Sequence, residues 1–297
     1  MSDCLNSVEL ASPAKVNLML SVHGPQADGF HALTSVVVAL DFGDRLSVRK
    51  AAGGADLLRC TDSQVPTGMG NLVMKAATAF RRELGQSVFF EFDLEKHIPM
   101  GAGLGGGSSN ASTALLGMNT LMEQPFSKQQ LMEIAAELGS DCPFFIDPRP
   151  SVMRGRGEVI EPLTEEAANK LKGQRLALFR PDFGVETAWA YGQLRAQAPQ
   201  RYESEALAEA RLSQFSESQD LSALLFNSFE PVVGRKYLAL PCLLEDLRNQ
   251  GINCLMSGSG SCCFALLEEI SLSPSQMHEI CRNAWGSSVF WVETSIC

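Results

Sequence analysis

A glycine-rich segment carries the clearest chemical signal in this sequence. It reads Pro99-Met100-Gly101-Ala102-Gly103-Leu104-Gly105-Gly106-Gly107-Ser108-Ser109. An alternating apolar run (87–94) precedes it, and a helix is predicted to follow it from Asn110 to Met122. A helix start offers unpaired N–H groups and a partial positive charge, and glycines let the backbone close around phosphate oxygens. The sequence therefore predicts a polyphosphate site, and a nucleotide as its ligand.

Two known phosphate motifs fit this segment poorly. A dinucleotide fingerprint begins at Gly101, and Glu123 lies near the distance of a ribose-binding acid, but no alternating βα units follow. A Walker loop requires a lysine after its last glycine, whereas Gly107 is followed by Ser108. Ser108 and Ser109 also fit the N-cap of the following helix, a role compatible with phosphate binding.

Phosphoryl transfer needs cations for the phosphates and an acceptor for a hydroxyl proton. Lys96 either reaches the phosphates or is a solvated lysine at a strand end. Asp141 either caps a helix whose first turn contains Pro143, or accepts the proton. Lys15 either faces the surface or pairs with Asn17, two residues further along the same strand face. The residue pattern alone leaves these alternatives open.

The elements that must position these residues are a mixture of strands and helices without βα alternation. Strands are predicted at 14–22, 34–41, 45–50, 87–94, 175–179, 254–257, 263–267 and 289–292. Predicted helices begin at the caps Asn71, Ser127, Thr187 and Ser273, with further helices at 110–122 and within 241–249. The polar stretch 196–219 is predicted to be a solvated helix or a loop. This order indicates an α+β protein with two domains, residues 1–160 and 161–297.

Composition limits the class of protein. Of 297 residues, 45% are hydrophobic and 20% are charged, as in soluble globular proteins. The net charge of −10 argues against nucleic acid as a partner, and no apolar run indicates a membrane. Nine cysteines without a Cys-x-x-Cys and four scattered histidines indicate neither disulfides nor a zinc site. A cytoplasmic location is predicted.

From about residue 10 to residue 293 the sequence resembles the GHMP small-molecule kinases. Five segments carry the resemblance: Ser12-Pro13-Ala14-Lys15-Val16-Asn17-Leu18, Asp28-Gly29-Phe30-His31, the glycine loop, Leu138-Gly139-Ser140-Asp141-Cys142-Pro143 and Ser257-Gly258-Ser259-Gly260-Ser261. The glycine loop and the last segment are typical of the whole superfamily. The first two segments are typical of the branch that phosphorylates a diphosphocytidyl alcohol in non-mevalonate isoprenoid synthesis.

The resemblance implies a fold and a site. The N-terminal domain would resemble domain 2 of ribosomal protein S5, the C-terminal domain would be ferredoxin-like, and the active site would lie in the cleft between them. ATP with Mg²⁺ would bind over residues 99–109 and Lys96, and the metal ligands are not implied. Asp141 would take the hydroxyl proton with Lys15 beside it. The residues implied for substrate binding are Asn17, Phe30, His31, Thr187, Tyr191, Ser257, Gly258, Ser259 and Gly260.

Within that implied site His31 would read the cytosine edge and Tyr191 would cover its face. Phe30 stands where the family usually has tyrosine, so it keeps a ring for stacking but lacks the hydroxyl. Segment 196–220 matches nothing in the family pattern. The resemblance is compatible with a monomer or a weak homodimer.

Three other functions are weighed against this one. A GHMP kinase for a homoserine-like or mevalonate-like alcohol has no use for the cytosine-reading histidine at His31. A non-catalytic nucleotide-binding relative does not need both Lys15 and Asp141. An RNA-binding protein, suggested by the S5-like half, does not fit a net charge of −10.

Overall fold

The structure is a computed structural model that describes residues 6–25, 31–267 and 272–297. The chain forms two compact units. The first unit contains the residues up to Ala14, Phe42–Met100 and Gly105–Pro148, and the second contains Lys15–Asp41, Gly101–Leu104 and Arg149–Cys297. The strands β1 (Ser7–Pro25) and β2 (His31–Lys50) contribute residues to each unit. Because the units alternate along the chain, the domain boundary at residues 160/161 stays a prediction.

The first unit packs helices on a small sheet. Its further elements are β3 (Leu57–Cys60), α1 (Leu72–Leu84), β4 (Phe90–Glu95), α2 (Gly106–Leu121), α3 (Lys128–Leu138) and a 3-10 helix (Pro143–Ile146). The second half of β2 pairs antiparallel with β4, and β3 pairs parallel with β4. Alternating residues such as Phe90 and Phe92 are fully buried against the apolar faces of α1 and α2. The strand β4 therefore begins three residues later and ends one residue later than the predicted strand 87–94.

Side-chain caps explain where two of these helices begin. The Asn71 side chain accepts from the backbone N–H of Val73, and a capping box joins Ser127 to Gln130. Both predictions are confirmed. The predicted start of α2 at residue 110 was wrong, because Gly105 takes the N-cap position with φ 71° and the helix begins at once. Ser108 and Ser109 are therefore helical residues and not N-caps.

The second unit contains the rest of the chain. Its elements are β5 (Ser151–Arg154), β6 (Val159–Pro162), α4 (Glu165–Leu171), β7 (Arg175–Arg180), α5 (Thr187–Ala196), α6 (Glu205–Ser218), a 3-10 helix (Leu221–Leu224), β8 (Phe226–Asn227), α7 (Glu230–Val233), α8 (Ala239–Asn249), β9 (Cys254–Met256), β10 (Cys263–Leu266), α9 (Pro274–Trp285) and β11 (Phe290–Ser295). In one sheet β8 lies parallel to β1, while β5 pairs with β2 and with β6.

The other sheet of the second unit has the order β11-β7-β10-β9, and every neighbouring pair is antiparallel. In chain order these strands and their helices follow a β-α-β-β-α-β pattern, which is that of the ferredoxin-like fold. The predicted α+β class and ferredoxin-like C-terminal half are confirmed.

Local details of the second unit differ from prediction in two places. Thr187 is the first residue of α5 and not its cap, because Glu186 occupies the N-cap position. The polar stretch 196–219 divides into a loop and the helix α6. The capping box of Ser273 and Gln276 opens α9 as predicted. Among the described residues, no helix has both the length and the apolar character needed to cross a membrane.

Candidate active site

The first part of the glycine loop, Gly101–Leu104, is held by backbone hydrogen bonds within the second unit. The N–H of Lys15 on β1 donates to the carbonyl of Leu104 over 3.0 Å. The N–H of Cys262 donates to the carbonyl of Ala102 over 3.1 Å. The loop thus meets two segments that were predicted to be functional, the strand of Lys15 and the glycine turn at 257–261.

Gly103 shows why this contact requires glycine. Its φ is 79°, and a Cβ at this position would lie 2.3 Å from the carbonyl oxygen of Ser257. The Ser257 hydroxyl in turn donates to the carbonyl of Gly103 over 3.2 Å. No other residue type fits without moving one of the two backbones.

The turn from Ser257 to Gly260 is fixed from two sides. The side-chain amide of Asn227 donates to the carbonyls of Met256 and Gly258, at 2.6 and 2.8 Å. The hydroxyls of Thr187 and Ser259 lie 2.8 Å apart. The structure therefore brings together the predicted residues Thr187, Ser257, Gly258 and Ser259, and it adds Asn227, which sequence reasoning missed.

Lys15 is buried, with 5% of its surface exposed, so the surface-facing alternative was wrong. Its Nζ donates to Asn17 Oδ1 over 2.6 Å, and Asn17 Nδ2 donates to the Ser35 hydroxyl over 2.8 Å. Ser35 donates onward to the carbonyl of Met19 over 2.7 Å. This chain of donors fixes the amide orientation of Asn17, so its oxygen faces the lysine. The polar pair predicted from the period-two spacing is confirmed.

His31 lies buried among aromatic rings. Its Nε2 is 3.0 Å from the hydroxyl of Tyr202, and its ring centroid lies 5.0 Å from that of Tyr191. Tyr191 makes an edge contact with Phe229 at 4.9 Å. Burial lowers the pKa of His31, and the charge of Arg195 lowers it further, so the imidazole is neutral at pH 7. The predicted partner Phe30 lies outside the described residues.

A buried ion pair stands at the entrance to the glycine loop in the first unit. Lys96 pairs with Asp44, whose side chain is 0% exposed. The same carboxylate accepts from the backbone N–H groups of His97 and Ile98, at 2.7 and 2.8 Å. Asn110 Nδ2 on α2 also donates to it over 2.8 Å. Asp44 therefore joins the chain entering the loop to the helix that leaves it, and the solvated-lysine alternative for Lys96 was wrong.

The first turn of α2 is tied to the N-terminal strand by two serines. Ser12 Oγ donates to Ser109 Oγ over 2.9 Å, and Asn110 Nδ2 donates to Ser12 Oγ over 2.8 Å. Both serines are fully buried. The hydroxyl of Ser109 thus belongs to an internal network that fixes the start of the helix, while Gly105, Gly106 and Gly107 form its N-terminal backbone.

Asp141 is half-buried and precedes the 3-10 helix. Cys142 takes the N-cap position of that helix without a side-chain hydrogen bond, so Asp141 is not its N-cap residue. The carbonyl of Cys142 accepts from the Ser112 hydroxyl over 2.7 Å. Burial raises the pKa of the Cys142 thiol to about 11, against an opposing hydrogen bond with Ser108. These contacts hold the residue next to Asp141 against the first turns of α2.

Comparison with known proteins identifies the family. The sequence profile of the GHMP kinases N terminal domain matches residues 71–148, and that of the GHMP kinases C terminal region matches residues 204–279. A 4-diphosphocytidyl-2-C-methyl-D-erythritol kinase of Citrifermentans bemidjiense is 34% identical over 94% of this chain and 96% of its own length. The chain belongs to the GHMP kinases. It is therefore an ATP-dependent small-molecule kinase.

Three further proteins are similar to this chain in sequence or in fold. A Prochlorococcus marinus protein of the same name is 38% identical over 89% of this chain and 85% of its own. The crystal structure of a 4-(cytidine 5'-diphospho)-2C-methyl-D-erythritol kinase superposes with a TM-score of 0.77 and 32% identity, covering 97% of this chain and 99% of that one. The crystal structure of a homoserine kinase from Cytophaga hutchinsonii covers 100% of this chain and 96% of its own, with a TM-score of 0.71 and 18% identity. This likeness shows a shared fold alone.

Four residues that contact predicted functional residues were not found by sequence reasoning. Asp44, Ser35, Tyr202 and Asn227 each hold a predicted residue through a hydrogen bond or ion pair. Each lies at least 18 positions from its partner, so no local spacing signals the contact. Among the described residues, no three His, Cys, Asp or Glu side chains come together as a metal site.

Proposed function

We propose that this kinase transfers the γ-phosphoryl group of ATP to the 2-hydroxyl of 4-diphosphocytidyl-2-C-methyl-D-erythritol, a step of non-mevalonate isoprenoid synthesis. One observation carries the proposal furthest: the buried His31 ring lies in contact with the rings of Tyr191 and Tyr202. Full-length relatives carrying this kinase name support it. A cytoplasmic monomer or weak homodimer stays a prediction of the sequence.

The aromatic cluster suits a pyrimidine base. Tyr191 offers a ring for stacking, because its edge contact with Phe229 fixes its plane. With Nε2 of His31 at the Tyr202 hydroxyl, the other ring nitrogen would form a hydrogen bond with the edge of the base. Cytosine and uracil have the same shape but exchange donor and acceptor at two edge positions. A buried hydrogen-bonding site therefore rejects the wrong base by leaving polar groups unpaired.

The glycine loop and the start of α2 would bind the ATP phosphates. The helix begins with glycines and has no side chain capping its first N–H groups, which suits an anionic ligand. Mg²⁺ would accompany the nucleotide, because polyphosphate oxygens and one or two carboxylates are its usual ligands. When bound, the metal supplies positive charge to the phosphates.

Asp141 would accept the proton of the substrate hydroxyl. The contact of Cys142 with Ser112 holds this part of the chain in place, and Asp141 is a half-buried residue. The ammonium group of Lys15 would lie near the transferring phosphoryl group, where its positive charge would stabilise the negative charge of the transition state. The acceptor is a tertiary hydroxyl, which is crowded, so positioning must supply much of the rate.

ADP release with three alcohols tests the substrate. We expect turnover with 4-diphosphocytidyl-2-C-methyl-D-erythritol and none above background with homoserine or mevalonate. Turnover of homoserine or mevalonate instead assigns the chain to another branch of the GHMP kinases. No turnover with any of the three would favour the non-catalytic nucleotide-binding alternative.

The Asp141→Asn substitution tests the catalytic assignment separately. It keeps the shape of the side chain and removes its charge, so ATP binding and the unfolding temperature should stay near wild type. Loss of a proton acceptor should reduce kcat by about 10²–10⁴-fold. A kcat within a few-fold of wild type would show that Asp141 is not the base.

A further inference from the structure

Tyr202 lies in the segment 196–220, in which the family resemblance gave no residue a role. Its hydroxyl is 3.0 Å from His31 Nε2, and its ring centroid lies 5.7 Å from the His31 ring at an angle of 48°. The ring also lies over the backbone of β1, where a Cβ on Gly24 would meet Tyr202 Cδ2 at 3.6 Å. The tyrosine is thus in contact with both the imidazole and the strand beside it.

The neighbouring residue Glu203 anchors this tyrosine to β1. Its N–H donates to the carbonyl of Val22 over 3.0 Å, and its carbonyl oxygen lies 3.0 Å from Nδ1 of His23. Its carboxylate, 9% exposed, accepts from the Ser21 hydroxyl and pairs with Arg211 at 2.8 Å. The backbone and the carboxylate of Glu203 are therefore both held in place, and this leaves the adjacent Tyr202 little freedom to move away from His31.

We propose that Tyr202 is a positioning residue that holds the His31 imidazole in one rotation, and that it thereby sets the preference of the kinase for cytosine over uracil. The proposal rests on the proposed function, since it concerns the base-binding half of the same substrate site. Nε2 is engaged by the Tyr202 hydroxyl, so recognition of the base falls to Nδ1.

Burial of His31 makes the orientation of its ring important for binding. A histidine ring has two nearly equivalent rotations about its Cβ–Cγ bond, which exchange the places of nitrogen and carbon atoms. The hydrogen bond to Tyr202 selects one rotation, in which a nitrogen and not a carbon of the ring is presented to the base. Without the hydroxyl, the nitrogen facing Tyr202 is buried without that partner, and the ring no longer has a reason to present a single pattern to the base.

Tyr202→Phe removes the hydroxyl and keeps the ring on Gly24. The measurement is the inhibition constant of cytidine 5′-diphosphate and of uridine 5′-diphosphate, each competing with the diphosphocytidyl substrate. Wild type should prefer the cytidine nucleotide, and the variant should reduce that preference by about 5- to 30-fold. The KM for ATP and the unfolding temperature should stay near wild type. Tyr237→Phe is the matched control, because Tyr237 packs on the rings of Phe183 and Trp189 and not on His31, so the preference should not change.

The outcomes separate the two claims. If wild type prefers cytidine and Tyr202→Phe keeps the full preference, the role of Tyr202 is overturned and the proposed function stands. If the variant weakens both nucleotides equally, Tyr202 is merely structural and the inference is again wrong. If wild type binds the two nucleotides equally, the proposed diphosphocytidyl substrate fails, and the inference that rests on it fails too.

Discussion

Replacing Asp44 with asparagine removes one charge from a pair that is almost completely withdrawn from solvent. The Asp44 side chain is 0% exposed and that of Lys96 is 7% exposed. Asparagine keeps an oxygen for the N–H groups of His97 and Ile98, so the backbone before the glycine loop retains its partners. The lysine, however, becomes a buried charge without a counter-ion. Breaking a buried pair in this way costs about 3–5 kcal/mol of unfolding free energy.

The assay is urea unfolding of four proteins: wild type, Asp44→Asn, Lys96→Met and the double variant. Lys96→Met removes the cation and keeps an apolar stem of similar length, so in the double variant no charge remains buried. We expect the double variant to be more stable than Asp44→Asn alone. If Asp44→Asn lowers the unfolding free energy by less than about 1 kcal/mol instead of the expected loss of about 3–5 kcal/mol, the reasoning is refuted. A double variant that is as unstable as the sum of the two single changes would also refute it.

Three further predictions concern the site. Lys15→Met should lower kcat by about 10²–10³-fold while the KM for ATP changes only a few-fold, because we assign the charge to the transition state; steady-state kinetics check this, and a normal kcat contradicts it. Gly103→Ala should raise the KM for ATP and lower the unfolding temperature more than Gly101→Ala does, since both positions have positive φ but only a Cβ at 103 would clash with Ser257. Equal effects of the two substitutions in ATP titrations and thermal unfolding would show that this contact has no role. Because burial lowers the pKa of His31, affinity for cytidine 5′-diphosphate should be constant from pH 7 to pH 8 and should fall only below about pH 6.5, when the ring gains a proton. Calorimetric titration across this pH range measures the affinity. A loss of affinity that begins at higher pH would contradict a neutral His31.

Local signals in the sequence predicted many of the helix boundaries. The caps Asn71, Ser127 and Ser273 each act through a backbone N–H two or three residues away, so their effect is visible in a short window. Gly85 likewise ends α1 in the left-handed conformation, with φ 67°. Such signals fail where two caps compete. In the glycine loop, Ser108 and Ser109 were favoured as caps of α2, but the helix begins earlier, with Gly105 as its N-cap residue.

The candidate site was predictable in its residue types and less so in their surroundings. The period-two spacing of Lys15 and Asn17 correctly indicated one strand face. Sequence left open whether Lys96 was solvated, because its counter-ion Asp44 lies 52 positions away. Similarly, Tyr202 meets His31 across 171 positions. Contacts of this kind arise from the packing of strands and loops, which a single sequence does not encode in any local pattern.

The most direct test of the central claim is the ³¹P NMR spectrum of the product formed from ATP and 4-diphosphocytidyl-2-C-methyl-D-erythritol. The carbon that carries the 2-hydroxyl has no hydrogen, so a phosphate ester at this position has no proton three bonds from phosphorus. We predict a new phosphomonoester signal that is a singlet without proton decoupling, together with one ADP per product. A phosphomonoester signal split by neighbouring protons would place the phosphate on a primary or secondary hydroxyl and contradict the account, as would ADP without any new ester.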